Sequence, residues 1–234
     1  MFIHDTKLAG STTTRVARFN IQSMESARIA ELLRPFLGDE QPSDALLQQV
    51  SIYVDLLLKW NAKINLTAVR EPNNIVIRHV GESFFAARRL IGRERATELM
   101  DIGSGAGFPG VPIKLLRPSI SVRLVEAHSK KAAFLSEVIR ELDLEGISVV
   151  NRRAEEIRET ASVVTLRAVE RFERVLRVAA GRVATGGSLG LLIGREQMTL
   201  AREVHIGKWE DPVDIPLSDN RIIAIWKFPR GVSD

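Results

Sequence analysis

A chain of 234 residues, 45% hydrophobic and 26% charged, has the make-up of an ordinary globular protein and enough length to bury a full core. It contains no Cys, which excludes disulfides, thiolate metal sites and a cysteine nucleophile, and its four His (His4, His79, His128 and His205) lack the paired spacing of a metal site. The net charge of +4 permits a nucleic-acid partner without requiring one: Arg88, Arg89, Arg93 and Arg95, then Lys130 and Lys131, then Arg152 and Arg153 are either solvated surface or a track for phosphates.

Residues 1–22 are polar and aperiodic and are expected to form a flexible tail. No signal-peptide run opens the chain and no apolar stretch reaches the length of a membrane span, so a cytoplasmic protein without membrane contact is expected. A helix is predicted from Met24 to Leu37, closed by Gly38. After Pro42 and Ser43, the residues Leu46, Val50, Tyr53, Leu57 and Trp60 recur every three or four positions, as one stripe of an amphipathic helix. A further helix runs from Asn74 to Leu90, with a break expected at Gly81. Residues 23–92 thus read as an N-terminal helical region that must bury its stripe against something else.

Residues 93–234 change to alternating strands and helices. Strands are predicted at Thr97–Asp101, Ser121–Glu126, Ile147–Asn151, Val163–Leu166, Leu189–Ile193 and Arg221–Phe228, with a weaker one near Glu203–Trp209. The clearest helix between them spans Lys130–Leu142, with Leu135, Val138, Ile139 and Leu142 on one face and Ser129 as N-cap. This alternation implies an α/β fold with a mainly parallel, doubly wound sheet. With no helix pattern between the last two strands, an antiparallel C-terminal hairpin follows. Seven strands ending so resemble the Rossmann-like fold of S-adenosylmethionine-dependent methyltransferases. No self-complementary interface is legible, which favours a monomer.

The string Glu98 to Gly110, ELMDIGSGAGFPG, is an apolar strand ending in an acid and then a glycine-rich turn, placed where open α/β sheets bind nucleotide-like ligands. Two cofactor classes compete for it. Gly105, Gly107 and Gly110 satisfy the dinucleotide pattern GxGxxG, with Glu126 ending the next strand as a ribose acceptor. Asp101, Gly103, Ser104, Gly105 and Gly107 instead resemble the D-x-G-x-G-x-G motif of class I methyltransferases, again with Glu126 on the ribose. Pro109 and Pro112 offer no N–H to a pyrophosphate, and S-adenosylmethionine has none, so the second reading leads. Ala127 and His128 beside Glu126, and Ala154 and Glu155 after the third strand, where such enzymes contact adenine, complete the candidate cofactor set. The plain alternative for Glu155 is an exposed charge at a helix start.

Acceptor chemistry in this fold belongs to the loop after the fourth strand. Here it reads Thr165, Leu166, Arg167, Ala168, Val169, without the Asn-Pro-Pro-Tyr type motif of exocyclic-amine methyltransferases. Guanine N7 fits what remains: it bears no proton, so it needs no general base, only placement and a suitable electrostatic setting. Arg167 is placed to hold O6 while leaving N7 free, and Lys130 to hold phosphate or O6. Their plain alternatives are a surface cation and a helix-start Lys, although Lys130 is electrostatically ill-placed near a helix N-terminus.

The segments LLLKWNAKINLTAVREPNNIVIRHVGES, DIGSGAGFPGVPIKLLRP, VEAHSKKAAFL and TLRAV, in order over Leu56–Gly190, resemble the bacterial glucose-inhibited division protein B family of small-subunit rRNA guanine-N7 methyltransferases. The resemblance implies S-adenosylmethionine as cofactor and a guanine in a 16S rRNA loop, free or in a small-subunit particle, as acceptor. It implies no metal. Gly103, Phe108, Glu126, Ala154, Glu155 and Arg167 then correspond to cofactor-site positions, and Lys130 and Arg167 to acceptor-site, catalytic positions. This chain has Glu82 where the family usually has Asp, and Ser162 where an Asp is common before the fourth strand. His79 either contacts RNA or closes the helical layer, the second reading being preferred.

Overall fold

The computed structural model describes residues 24–91, 97–169, 171–204 and 206–229. The expected tail over 1–22, the boundary at 92–93, Arg93 and Arg95, and His4 and His205 lie outside these residues.

The first third is helical as expected. Helix α1 (Ser26–Leu37) buries Ile29, Leu33 and Phe36 and ends at Gly38, whose φ of 57° is the left-handed turn that a glycine takes without strain. Helix α2 (Asp44–Asn61) starts where the Ser43 hydroxyl accepts the Leu46 N–H. Its stripe of Leu46, Val50, Tyr53 and Leu57 is buried, with Trp60 half-buried at the end. After α3 (Pro72–Ile75), capped by the Glu71 carboxylate, the chain makes a π-helical turn over Val76–Gly81 and continues as α4 (Glu82–Leu90). The break expected at Gly81 is therefore a widened turn within one continuous helix. Gly81 is there for packing, because a Cβ would lie 2.5 Å from the Phe36 ring.

The remainder follows the order β1 (Glu98–Ile102), α5 (Gly110–Leu116), β2 (Ser121–Val125), α6 (Ser129–Glu141), β3 (Ile147–Val150), β4 (Ala161–Arg167), α7 (Phe172–Ala180), β5 (Val183–Gly194), α8 (Gln197–Glu203), β6 (Val213–Asp214) and β7 (Arg221–Lys227). These strands form one seven-stranded sheet in the order β3-β2-β1-β4-β5-β7-β6. β1 to β5 pair in parallel, and β7 runs antiparallel to both its neighbours, giving the expected C-terminal hairpin. Two local expectations are corrected. The strand near Glu203–Trp209 is instead the end of α8 followed by a single antiparallel bridge from Trp209 to Trp226. Ser129 does not cap α6: His128 is the N-cap, and the Ser129 hydroxyl donates to Asn151 Oδ1.

Alternation along each strand splits the core in two. Leu99, Val122, Leu124 and Val163 face the layer of α1, α2, α4, α5 and α6, so the helical region shares one core with the sheet. Met100, Ile102, Val164 and Leu166 face α7 and α8. Strand order reverses between β1 and β4, each connected in sequence away from the other, and ligands of such sheets bind outside the carboxyl ends at that point.

Candidate functional site

The glycine loop lies at that switch point, between β1 and α5. Gly103, Gly105 and Gly107 all have positive φ. Gly107 is needed for close packing, since a Cβ would sit 2.7 Å from the Tyr53 hydroxyl and 2.8 Å from Val111 Cγ2. Gly105 differs: a Cβ there would meet nothing nearer than the Gly103 carbonyl at 3.8 Å, so the glycine leaves an open space at the surface of the loop.

Below the loop, Asp101 is buried at 1% exposure. Its Oδ1 accepts the Thr165 hydroxyl at 2.8 Å from the register-matched position of β4, and its Oδ2 accepts the Gly110 N–H at 3.3 Å. Burial pushes the Asp101 carboxyl up to about 6 despite these donors. The Ser104 hydroxyl donates to the Asp101 carbonyl, so both candidates fasten the loop from beneath.

The loop directs its main-chain donors inward. The N–H groups of Gly103 and Ser104 go to the Val125 carbonyl, that of Gly107 to Ser104, and that of Val111 to Gly107. The Gly105 N–H goes to Glu126 Oε2 at 2.9 Å. Glu126 is buried at the end of β2, its Oε1 accepting the His128 N–H at 2.7 Å, while Asn151 Nδ2 donates to its carbonyl. A carboxylate at the heart of the loop, with the N–H groups of Gly103, Ser104, Gly105 and Gly107 already bonded within the fold, is poorly suited to cradle a phosphate. It suits a ligand that presents hydroxyl donors and carries positive charge.

A second cluster stands beside the loop. Phe108 packs its ring on Tyr53 (centroids 5.3 Å apart) and on His79 (4.7 Å), and the Arg167 guanidinium lies over it at 5.6 Å. Arg167, at the end of β4, uses one Nη2 to reach the Arg78 carbonyl at 2.6 Å, His79 Nδ1 at 2.8 Å and Glu82 Oε2 at 3.1 Å. Arg167 has only donors, so His79 Nδ1 accepts and the ring proton sits on Nε2, donating to the Thr67 hydroxyl at 2.7 Å. Burial first, then the Arg167 charge, hold His79 down at about 3, and burial lowers Arg167 to about 10. Glu82 is the shared anion, since the same Oε2 accepts Arg221 Nε at 2.9 Å from the start of β7. The Tyr53 hydroxyl donates to the Ala106 carbonyl, tying α2 to the loop.

The remaining candidates are more dispersed. Ala127, His128 and Lys130 are exposed where β2 leads into α6, and Lys130 makes no hydrogen bond or ion pair with the described residues. Ala154 and Glu155 lie half-buried in a short 3-10 turn after β3, with Glu155 paired to Arg174 at 2.9 Å. Ser162 falls inside β4, exposed, where its hydroxyl accepts the Glu98 N–H. The structure thus joins Asp101, Gly103, Ser104, Gly105, Gly107 and Glu126 in one loop and Phe108 with Arg167 in the adjoining cluster. Sequence reasoning missed Tyr53, Thr67, Thr165 and Arg221 as parts of this site. Tyr53 was legible only as one member of an apolar stripe, and Arg221 carries no local signal. Among the described residues no group of three His, Asp or Glu side chains is placed to hold a metal ion, and no helix is long and apolar enough to cross a membrane.

The solved structure of ribosomal protein L11 methylase from Lactobacillus delbrueckii subsp. bulgaricus has the same fold, with a TM-score of 0.56 at 10% identity, covering 65% of this chain and 79% of that one. The fold is the class I methyltransferase fold. "Ribosomal RNA small subunit methyltransferase G" of Desulfitobacterium hafniense is 39% identical over 165 residues, 68% of this chain and 67% of the relative. The protein of that name in Acetivibrio thermocellus is 35% identical over 207 residues, covering 82% and 83%. The model of the GidB family, rRNA small subunit methyltransferase G, matches residues 46–205, which span the glycine loop, Glu82 and Arg167. With its fold, its loop and its sequence relatives in agreement, the chain belongs to the rRNA small subunit methyltransferase G family.

Proposed function

We propose that the protein transfers a methyl group from S-adenosylmethionine to N7 of a guanine in 16S rRNA, and that the glycine loop and the Arg167 cluster are the two halves of its active site. The observation that carries the cofactor half is the Glu126 carboxylate at the Gly105 N–H. It opposes a pyrophosphate and favours the ribose hydroxyls and positive charge of S-adenosylmethionine. When bound, that cofactor supplies a methyl group on a positively charged sulfur. Gly105 allows close approach while Gly103 and Gly107 shape the turn around it, Glu126 accepts from the ribose, and Ala127, His128, Ala154 and Glu155 border the adenosine. Phe108 provides an apolar wall. Asp101 and Ser104 hold the loop in shape from below.

Among the described residues, the acceptor half offers no usable base. His79 is neutral, held at both ring nitrogens and far too weakly basic at about 3, and Glu82 is bound by two arginines. An acceptor atom that must lose a proton is poorly served here, whereas guanine N7 attacks through an in-plane lone pair and loses none. Arg167 has donors on Nε and Nη1 that make no hydrogen bond with the described residues, and these suit O6 of the guanine. Lys130, exposed on the same edge of the sheet, takes an RNA phosphate. We read the acting species as a monomer on a small-subunit particle or its RNA.

Mass spectrometry of 16S rRNA fragments from cells with and without the gene tests the reading. Loss of a single N7-methylguanine on deletion is expected, and an unchanged mark would overturn it. Arg167→Lys, which keeps the charge but loses the planar fork, is expected to lower kcat at least about tenfold while S-adenosylmethionine affinity by calorimetry stays within threefold. Equal losses in both would move Arg167 to cofactor binding alone.

A further inference from the structure

A cleft of about 540 Å³ opens beside the Arg167 cluster, between the π-helical turn, the end of β5 and the turn before β7. Its volume falls within the roughly 300–1,000 Å³ of small-molecule sites. None of the glycine-loop residues lines it, so it is not the cofactor pocket. Its outer half, Pro216–Arg221, also lies beyond the residues that the family model matches.

The lining combines an apolar wall with an edge of mixed charge. Ile77, Pro216 and Leu217 are the cleft's apolar lining. Leu217 is 67% exposed and held at a φ of 57°, an unusual backbone for a branched side chain, which displays it to solvent. At the rim stand Arg78 and Asp219, both exposed, and neither side chain forms an ion pair or hydrogen bond with the described residues. A lone phosphate is poorly matched, because Glu196 and Asp219 place carboxylates around it. A flat, neutral ring with apolar faces and both donors and acceptors on its edge matches all three features. That is the description of an unstacked nucleobase, the form in which single-stranded RNA is recognised. Arg221, which lines the cleft, shares Glu82 Oε2 with Arg167, so the cleft and the acceptor half of the active site meet at one buried anion.

We propose that this cleft is a second base subsite, holding a nucleotide that neighbours the methylated guanine, with its face on Pro216 and Leu217 and its edge between Arg78 and Asp219. The proposal rests on the RNA reading above. It assigns sequence context to residues outside the catalytic centre.

The test uses full-length Arg78→Ala and Asp219→Ala in methyl transfer to small-subunit particles lacking the mark. Each is expected to raise KM for the particle roughly tenfold, with kcat within twofold and S-adenosylmethionine affinity unchanged. Asp219→Ala is the discriminating variant: removing an acid strengthens nonspecific attraction to RNA, so a weaker KM reports a lost base contact. Photocrosslinking from p-benzoylphenylalanine in place of Leu217 is expected to label a nucleotide within two of the methylated guanine. An active wild type whose KM moves in neither variant, or a crosslink mapping elsewhere in the RNA, overturns the subsite alone. A wild type inactive on every RNA overturns the function beneath it as well.

Discussion

The glycine loop and the Arg167 cluster adjoin at one edge of the sheet but are held together over very different distances along the chain. The loop is fastened by near neighbours: Ser104 and Gly110 to Asp101, and Gly105 to Glu126, at separations of 3, 9 and 21 residues. Arg167 reaches His79 and Glu82 across 88 and 85 residues, and Arg221 reaches Glu82 across 139. The loop is therefore fastened mostly within β1, its turn and the end of β2, with one longer tie from Asp101 to Thr165, while the cluster exists only when the helical layer, β4 and β7 are docked together. Two sets of contacts bridge them, the Tyr53 hydroxyl on the Ala106 carbonyl and the Phe108 ring against Tyr53, His79 and Arg167. The proposed cofactor half of the site is thus built mostly locally and the proposed acceptor half globally, which makes the latter the more sensitive to changes far from it.

The largest effect that separates the two comes from Glu82. Its side chain is 3% exposed and its carboxylate answers two guanidinium groups. Glu82→Ala leaves both without their anion and is expected to cost about 3–5 kcal/mol of stability, read by urea unfolding. Glu82→Asp keeps the charge and should cost less. A loss below about 1 kcal/mol for the alanine variant would show that the cluster is solvated and loosely held.

Next in size is a contrast of sign with pH. His79 is lowered from 6.5 to about 3, so the stability it contributes is complete above pH 6.5 and lost as pH falls through the window down to 3, by about 1.4 kcal/mol per unit. Asp101 is raised from 3.8 to about 6, so its favourable, protonated state is complete below pH 3.8 and lost as pH rises through 6, an effect of about 2–3 kcal/mol. The two oppose each other between pH 4 and 6. His79→Gln should make the protein gain stability relative to wild type as pH falls from 6.5 to 4.5, and Asp101→Asn should make it lose stability over the same range. Parallel profiles for the two variants in denaturation at pH 4.5, 5.5 and 7 would erase the distinction.

Gly105 sharpens the comparison from the loop side. Because its Cβ direction is open, Gly105→Ala meets no clash and costs only the left-handed backbone, about 1–2 kcal/mol. If the open space is where a ligand sits, S-adenosylmethionine affinity should fall by at least about tenfold, more than the stability loss alone brings about. Gly107→Ala, with Tyr53 and Val111 in the way, should reverse that order and damage folding first. Equal behaviour of the two variants would mean that Gly105 serves the turn only.

What could be read from the sequence follows the same divide. The loop was legible because glycines at positive φ, a strand-end acid and the next strand-end acid must all sit close together in sequence. Strands and parallel order were legible from the alternation of apolar runs with helical stripes, since each buried face imposes its own period. The cluster was not, because the antiparallel C-terminal hairpin was expected but nothing near Arg221 announces that it delivers a cation to Glu82. Glu82 itself carried a faint signal, a carboxylate within the apolar run from Val76 to Ala87, but its partners could not be named without the fold. Ser129 looked like a cap because the hydroxyl precedes a good helix, and it lost that role to a tertiary partner, Asn151.

The smallest expected effect falls at the loop's outer border. Glu155 pairs with Arg174, but the two side chains are 36% and 59% exposed, so the pair is solvent-screened and worth no more than about 0.5 kcal/mol. Glu155→Gln should therefore leave the unfolding curve in place, and that makes it a clean probe of the adenosine side of the pocket. If the 3-10 turn over Ala154–Glu156 borders the adenosine, calorimetry should show S-adenosylmethionine affinity down several-fold in Glu155→Gln and nearly unchanged in Arg174→Ala, because the carboxylate belongs to that turn and the arginine to α7. An unchanged affinity in both would leave Glu155 as the partner of a surface arginine. The cofactor half would then end at Glu126 and His128, held mainly by β1, β2 and the turn that each of them starts, with Thr165 of β4 and Tyr53 of α2 as its distant ties.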